Sequence, residues 1–482
     1  MEDLNYKELN FKCGLEIHQQ IDSPRKLFCN CPCILRSDEP DFEVERKLHA
    51  VAGESGEVDV AAAYQAGLEK VFIYQGHKEN SCLVEYDESP PYPVDFFSLK
   101  VALQVALLLN CKIIPVAQIM RKTVINGSNT SGFQRTVLIA RDGYVETSQG
   151  KVGIDTICLE EDSARKVKND DNKVYYTLDR LGIPLIEIAT APDIKNAEMA
   201  KEAALMIGDI LRSCKVKRGI GTIRQDVNIS IRGENRIEMK GVQDMKMFLK
   251  VVENEVLRQK DLSDKKTPTA SEVRSALVDG KSEFLRPMPG ADRMYPETDL
   301  PLLKISRDFI NECKKDLPKL RSEIQEDLKK KGLNEDMIKL LFKLNKVEEF
   351  KNLLNILDKP QLVGKIILLY PKEIASRRGK NFEEVDEKLL DFYGDVLIAL
   401  NKNKISEGDI KDVLVKLING ESFENAIKIE KKDVGEVEEK ILKIIKEKPG
   451  LNANAYMGLV MKEFGGNVDG KVAMEIIERL MK

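Results

Sequence analysis

Charged side chains inside apolar, strand-like runs constrain this chain more than any other feature, because a carboxylate is costly to bury there unless a cation or donor meets it. The run Gly14-Leu15-Glu16-Ile17-His18-Gln19-Gln20 places Glu16 and His18 two apart, so both point to one side of a strand. Leu15 and Ile17 then turn the other way, into a core. Glu160 and Glu161 sit in Ile157-Cys158-Leu159-Glu160-Glu161-Asp162, and Glu187 sits in Pro184-Leu185-Ile186-Glu187-Ile188. Together they predict an acidic, cation-binding floor assembled from several strands.

A chain of 482 residues exceeds one ordinary core, so two or three domains are expected, and a hydrophobic share of 42% suffices to fill them. The start, Met1-Glu2-Asp3-Leu4-Asn5-Tyr6-Lys7, lacks the basic-then-apolar pattern of a secretion signal, and no apolar run is long enough to span a bilayer. A cytoplasmic protein without membrane association is expected. Nine Cys without disulfide-framework spacing fit a reducing compartment. A net charge of -4 and a pI near 5.8 argue against a general nucleic-acid coat. Any nucleic-acid site must be local, at Arg121-Lys122, at Lys215 with Lys217 and Arg218, or at Arg377-Arg378 with Lys380, each of which also reads as a solvated surface run.

The fold class expected is α+β: a mixed-sheet domain, then an all-helical domain and a small helical tail module. Strand-like runs to about Gln259 alternate with a few helices, such as Val94 to Leu109 and Ala197 to Ser213. Between Lys260 and Asp279 the chain turns polar and reads as a linker or insertion point. The stretch from Leu285 through Asp299 is too rich in Pro for regular structure and predicts an ordered loop closing the first domain. Beyond Pro301, periodic Leu, Ile and Phe, broken at Pro318, Pro360, Pro371 and Gly379, predict helices to the end. In the tail, Gly465-Gly466-Asn467 predicts a turn between two helices.

Ile223 to Ile231 alternates with a period of two, Arg224, Asp226, Asn228 and Ser230 on one face and Ile223, Val227, Ile229 and Ile231 on the other. Gly233-Glu234-Asn235 then turns the chain into a return strand carrying Arg236, Glu238 and Lys240. Such a polar face is either solvent-facing or a site. If these strands share a sheet, Glu16, His18, Glu161, Glu187 and Asp226 converge, and oxygen ligands with one imidazole suit Mg2+ or Mn2+ better than Zn2+. That chemistry points to phosphoryl transfer, with Arg121 and Lys122 as a charge clamp. The polar loop Ile125 to Phe133 suits close backbone approach to a ligand; Ser131 in it, with Arg224 and Asn228, completes the candidate contacts to the phosphoryl donor. Cys29, Cys31 and Cys33 invite zinc, but no matching CxxC or His pair follows, so zinc is the lesser reading and reduced thiols the main one. No Ser, His and acid arrangement reads as a hydrolytic triad.

On these residues the chain resembles the B and E subunits of tRNA-dependent amidotransferases, which convert Glu-tRNA(Gln) to Gln-tRNA(Gln). The likeness runs through Gly14 to His18 with Lys26-Leu27-Phe28-Cys29, Leu159 to Asp162, Gly182 to Ile188, Arg224 to Ser230 and Tyr295-Pro296-Glu297-Thr298-Asp299. Details at Gly14 to Gln20 and Met294 to Asp299 are similar to the archaeal E type. The resemblance implies a cradle domain at 1–300, a helical domain at 301–409 and a tRNA-binding tail at 410–482. It implies a ligase that uses ATP and Mg2+ to phosphorylate the side-chain carboxylate of misacylated Glu, with Glu16, His18, Glu161 and Glu187 catalytic, joined in holding the metal by Glu160 and Asp226. It also implies ammonia from an asparaginase-like D subunit and a homodimer within a heterotetramer. One departure stands out: the E type commonly carries an aspartyl-tRNA-synthetase-like insertion, and here only the polar stretch 261–279 takes its place.

Overall fold

The computed structural model describes residues 4–53, 56–170, 172–267, 270–290, 293–428, 434–463 and 470–481. The chain packs as two compact units, Met1–Ser322 and Glu323–Lys482. The first is mixed α and β, and the second is helical, as the periodicities predict.

An eleven-stranded sheet organises the first unit. Its order across the main path is Ser282–Pro287, Glu272–Ala276, Ile237–Lys240, Ile223–Ser230, Lys12–Gln20, Pro184–Thr190, Gly150–Glu161, Phe133–Thr147, Ile119–Thr123 and Met294–Pro296. The central strand is Lys12–Gln20, flanked antiparallel by Pro184–Thr190 and Ile223–Ser230. Alternation does the sorting. Leu15, Ile17, Ile186, Ile188, Val227 and Ile229 fall on one face, each at most 1% exposed, against the helices Phe96–Leu108, Ala197–Ser213 and Phe248–Asp264. Burying each such side chain contributes roughly 1.5–3 kcal/mol, so a one-residue slip that turned this face outward would forfeit the core. Asp95 and Asn196 start two of these helices by accepting hydrogen bonds from Ser98 N and Met199 N.

The Pro-containing segment departs from the expected loop, for it supplies both outer strands of the sheet path. Ser282–Pro287 pairs with Glu272–Ala276 at one edge, and Met294–Pro296 pairs with Ile119–Thr123 at the other. Pro is tolerated at strand ends and edges because no inner ladder bond is lost. Flat, the strands of this path would set the two edges about 43 Å apart at ~4.8 Å per step. Residues 288–293 reach at most about 25 Å even fully extended, so the sheet curls to bring its edges within reach. The polar stretch between Lys260 and Asp279 likewise proves more regular than a linker: the helix runs to Asp264, and Glu272–Ala276 joins the sheet parallel to Ile237–Lys240.

A four-stranded sheet, Phe42–Arg46, Val71–Gly76, Lys173–Thr177 and Arg165–Asp170, packs around Phe72, Tyr74, Val174 and Tyr176. It holds the 125–133 loop, because Tyr74 and Tyr176 donate hydrogen bonds to the carbonyls of Gly127 and Asn126. Gly127 has φ 85°, and a Cβ there would fall 2.1 Å from the Phe72 ring, so only glycine fits.

The first unit continues past Pro301, through Leu303–Lys304 paired with Val116–Ala117 and the helix Arg307–Lys315, where Glu312 and Asp316 bind Lys100. In the helical unit Pro371 does not break the helix as expected. A π-helical turn, Lys365–Leu369, precedes it and accommodates the missing N–H and the ring. Gly379 ends that helix in the left-handed region at φ 62°. Ile410, Val413, Leu414, Leu417 and Ala426 belong to the main core of this unit, whereas Val437, Ile441, Tyr456, Val460, Ala473 and Ile477 form a separate small core. The turn expected at Gly465-Gly466-Asn467 lies outside the described residues. No helix among the described residues is long and apolar enough to cross a membrane.

Candidate active site

Opposite the helices, the sheet's other face carries the charged side chains, and register decides which of them meet. Glu16 lies across from Asp226, and His18 across from Glu187. Glu160 reaches the same place from Gly150–Glu161, whose neighbour Phe133–Thr147 sets Thr136 opposite it. His18 Nε2 lies 3.2 Å from Glu187 Oε2 and 3.5 Å from Glu16 Oε1. Lys122 Nζ lies 2.5 Å from Glu160 Oε1 and 3.2 Å from Glu187 Oε2, while Gln134 donates to the second Glu160 oxygen at 3.1 Å.

Two sets of donors therefore share His18: Glu16, His18 and Asp226, and His18, Glu160 and Glu187, each with ligand atoms within 4.8 Å of one another. Burial and the charge of Glu187 raise the Glu16 carboxyl above the usual range, against the pull of His18. Burial and Glu187 raise Glu160 too, against Lys122. Burial would also raise Glu187, but Lys122 and the His18 hydrogen bond outweigh it and hold that carboxyl well below the usual range. For His18, burial favours the neutral ring, yet the hydrogen bond and charge of Glu187, with Glu16 and Glu160, prevail and raise it. Negative charge is under-compensated here, and the oxygen-rich donor set with one imidazole fits a hard divalent cation.

The remaining expected residues sort differently. Glu161, one step from Glu160, points to the other side of its strand and joins neither set. Its Oε1 accepts from Arg135 N at 2.9 Å and Arg135 Nη1 at 3.3 Å, so its expected place among the metal ligands is not what the geometry supports. Arg121 is occupied by Glu297 at 2.5 Å and Asp299 at 3.2 Å, and Arg135 is shared between Glu161 and Glu297. Arg224 binds Asp162 at 2.9 Å, Asp226 binds Lys240 at 2.7 Å, and Asn228 sits opposite Gly14 and Glu238. The Ser131 hydroxyl donates to Phe133 O, and the residue lines a small cavity of about 20 Å³ with Lys26, Glu85, Asn129, Arg135 and Glu161.

Sequence reasoning missed Arg135 and Glu297, although Arg135 in Phe133-Gln134-Arg135-Thr136-Val137 satisfies the rule that found the acids: a charge inside an apolar strand. It also mistook the thiol cluster. Cys29 and Cys31 meet Cys82 and Glu85, not Cys33, with ligand atoms within 4.8 Å. Lys217 Nζ instead donates to the carbonyl of Cys33. Cys29 Sγ lies 3.0 Å from Glu85 Oε1, and Lys26 Nζ, with a side chain 0% exposed, lies 3.0 Å from the same oxygen. Hydrogen bonding to Cys31 and Cys82, with burial, raises the Cys29 thiol, while hydrogen bonding to Cys29 and Cys31 lowers Cys82. Three sulfurs and one carboxylate are a donor set that a tetrahedral zinc accepts.

An acidic centre on a curled mixed sheet, with Lys122, Lys240 and Arg224 paired to its carboxylates and their neighbours, has a donor set that could hold a metal ion. The model of the GatB/GatE catalytic domain matches residues 11–311. The E-type glutamyl-tRNA(Gln) amidotransferase chain of Methanocaldococcus jannaschii is 37% identical, with all of both chains covered. The E-type chains of Methanococcus maripaludis strain C7 and Methanosarcina barkeri are 33% and 32% identical, with at least 99% of each chain covered. The chain belongs to the GatB/GatE family and forms part of a ligase-type amidotransferase. The first alignment spans 631 positions against 482 residues here, and the excess is sequence of that relative with no counterpart in this chain.

Proposed function

We propose that this chain, as a tRNA-dependent amidotransferase in Gln-tRNA(Gln) formation, uses ATP and Mg2+ to phosphorylate the side-chain carboxylate of Glu mischarged on tRNA(Gln) and then exchanges phosphate for ammonia. The relatives are named for glutamyl-tRNA(Gln) amidation over the full length of the chain, which supports the overall reaction. The observation that carries the finer reading is the convergence of Glu16, His18, Glu160, Glu187 and Asp226 beside Lys122.

A carboxylate is a poor electrophile. Its oxygen attacks the γ-phosphorus of ATP, the bond to the bridging oxygen breaks with its electron pair leaving on ADP, and an acyl phosphate results. The nitrogen lone pair of ammonia then attacks the acyl carbon; phosphate departs with the C–O electrons, and the nitrogen loses a proton. Mg2+, when bound by Glu16, His18, Glu160, Glu187 and Asp226, supplies neutralisation of phosphate charge. The chain's own groups do the positioning. Lys122 holds Glu160 and Glu187 towards each other, while the Glu297 bridge ties Arg121 and Arg135 together on the side of the strands to which Glu161 points.

In this reading ammonia comes from an asparaginase-like D subunit, two copies of each chain forming a heterotetramer in the cytoplasm. The sheet-bearing unit, compact through Ser322, acts as the cradle, a helical domain follows it, and the segment around the small core of Val437, Ile441, Tyr456 and Ile477 binds tRNA. Cys29, Cys31, Cys82 and Glu85 hold a structural zinc. The test is ATP consumption by the purified chain with Mg2+ and ammonium, comparing Glu-tRNA(Gln), uncharged tRNA(Gln) and free Glu. Only Glu-tRNA(Gln) should give stoichiometric ADP and Gln-tRNA(Gln). Amidation without ATP consumption would overturn the reading.

A further inference from the structure

The cations of the acidic floor and of the strand face behind it are already committed. Lys122 is held by Glu160 and Glu187, Arg121 by Glu297 and Asp299, Arg135 by Glu161 and Glu297, Lys240 by Asp226 and Glu238, and Arg224 by Asp162. Two guanidiniums are not. Among the described residues, neither Arg286 nor Arg293 has a carboxylate within 4 Å; the only hydrogen bond of Arg286 is a 3.5 Å contact to Pro287 O.

Their position follows from the topology. Arg286 lies in the strand at one edge of the curled sheet, opposite Val273. Arg293 immediately precedes the strand at the other edge, where Met294 lies opposite Lys122. The connection between them is tied down by Asp59, which accepts from Gly290 N at 2.6 Å and from Ala62 N at 3.0 Å. Arg286 thus feels the charges of Glu238, Arg293, Asp59 and Glu16, and Lys122 feels that of Arg293. Burial and the proximity of Arg293 lower Arg286, against the pull of Glu238, Asp59 and Glu16. Two half-buried like charges with no carboxylate in ion-pair distance are only partly compensated, and a bound anion would relieve them.

We infer that Arg286 and Arg293 form a two-pronged clamp for the phosphoryl group that is transferred, opposite the divalent cation on the carboxylate floor. The inference rests on the reading that the site uses ATP. A terminal phosphoryl group carries more charge and more acceptor oxygens than a carboxylate, so it answers two guanidinium forks more fully. The clamp therefore reads the γ-phosphoryl group and not the remainder of the nucleotide.

The experiment measures binding of MgATP and of MgADP by calorimetry to the full-length wild type and to Arg286→Gln, Arg293→Gln, Arg286→Lys and Arg293→Lys. Steady-state amidation and melting temperature are followed in parallel. Wild type should prefer ATP to ADP, and each Gln variant should lose about tenfold in ATP affinity while holding ADP as before. The Lys variants should recover part of the loss, because charge remains but the fork does not. Unchanged ATP preference in both Gln variants overturns the clamp. So does a defect confined to the KM for Glu-tRNA(Gln), which would assign the pair to the substrate carboxylate. A wild type that binds no nucleotide overturns the ATP reading itself, an outcome distinct from either.

Discussion

Replacing Lys122 by Met tests the cation site without relying on turnover. The Lys122 side chain is 8% exposed and lies between Glu160, 1% exposed, and Glu187, 17% exposed. Met keeps the length and apolar stem but removes the charge, leaving two carboxylates with only His18 and Gln134 as close partners. Removing one partner of a buried ion pair costs about 3–5 kcal/mol. With a urea m-value of about 3 kcal/mol/M for a unit of this size, the midpoint of the sheet unit should fall by roughly 1–1.7 M. Mg2+ then acts unequally in the two proteins. In wild type it shares Glu160 and Glu187 with the ammonium; in the variant it meets no competing charge. At 100 times its dissociation constant, Mg2+ should return about 2.7 kcal/mol to the variant, most of the loss, and wild type should gain less. The assay is urea unfolding in EDTA and across a Mg2+ titration, with the helical unit's transition as an internal reference. Equal Mg2+ responses in the two proteins would refute the placement of the cation at Glu160 and Glu187.

Four further outcomes are expected. Glu187→Gln should abolish ATP-dependent amidation at limiting Mg2+ while the protein stays folded, whereas Glu161→Gln, whose carboxylate serves Arg135, should lower stability more than it alters Mg2+ dependence; the Mg2+ dependence of kcat/KM in both variants decides this. Metal analysis of the purified chain should find one zinc, lost in Cys82→Ala and retained in Cys33→Ala, because only Cys82 belongs to the four-donor cluster. A chain ending at residue 428 keeps the main helical core but lacks the small core around Ile441, Tyr456 and Val460; it should raise the KM for Glu-tRNA(Gln) with little change in kcat, and an unaltered KM would remove the tail from tRNA binding. Burial raises the Glu349 carboxyl above its unfolded value despite Lys346, so the stability this lends is present below about pH 4.3 and lost as pH rises through the folded value. Glu349→Gln should therefore melt higher than wild type at pH 8 but not at pH 4, with Lys346 still held by Asp386 at 2.7 Å.

The sequence by itself determined whatever depends on local period. Glu16 and His18 on one strand face, the Asp226 and Asn228 face of the hairpin, and the helical character of the second unit all follow from alternation every two residues or from a helical repeat. Tertiary structure decided which of those faces meet. Glu160 and Glu161 are adjacent and equally acidic in sequence, yet strand pairing with Phe133–Thr147 and Pro184–Thr190 sends one to His18 and the other to Arg135. Cys82 and Glu85 join Cys29 and Cys31 across about fifty residues, a separation that no spacing rule could reveal. The stretch between Ser282 and Pro296 looked irregular because Pro marks loops locally, but it supplies both edges of the sheet path, with Arg286 in one edge strand and Arg293 just before the other. Side-chain direction is set within a few bonds of each residue, whereas its partners are set by hydrogen-bond register between strands far apart in the chain.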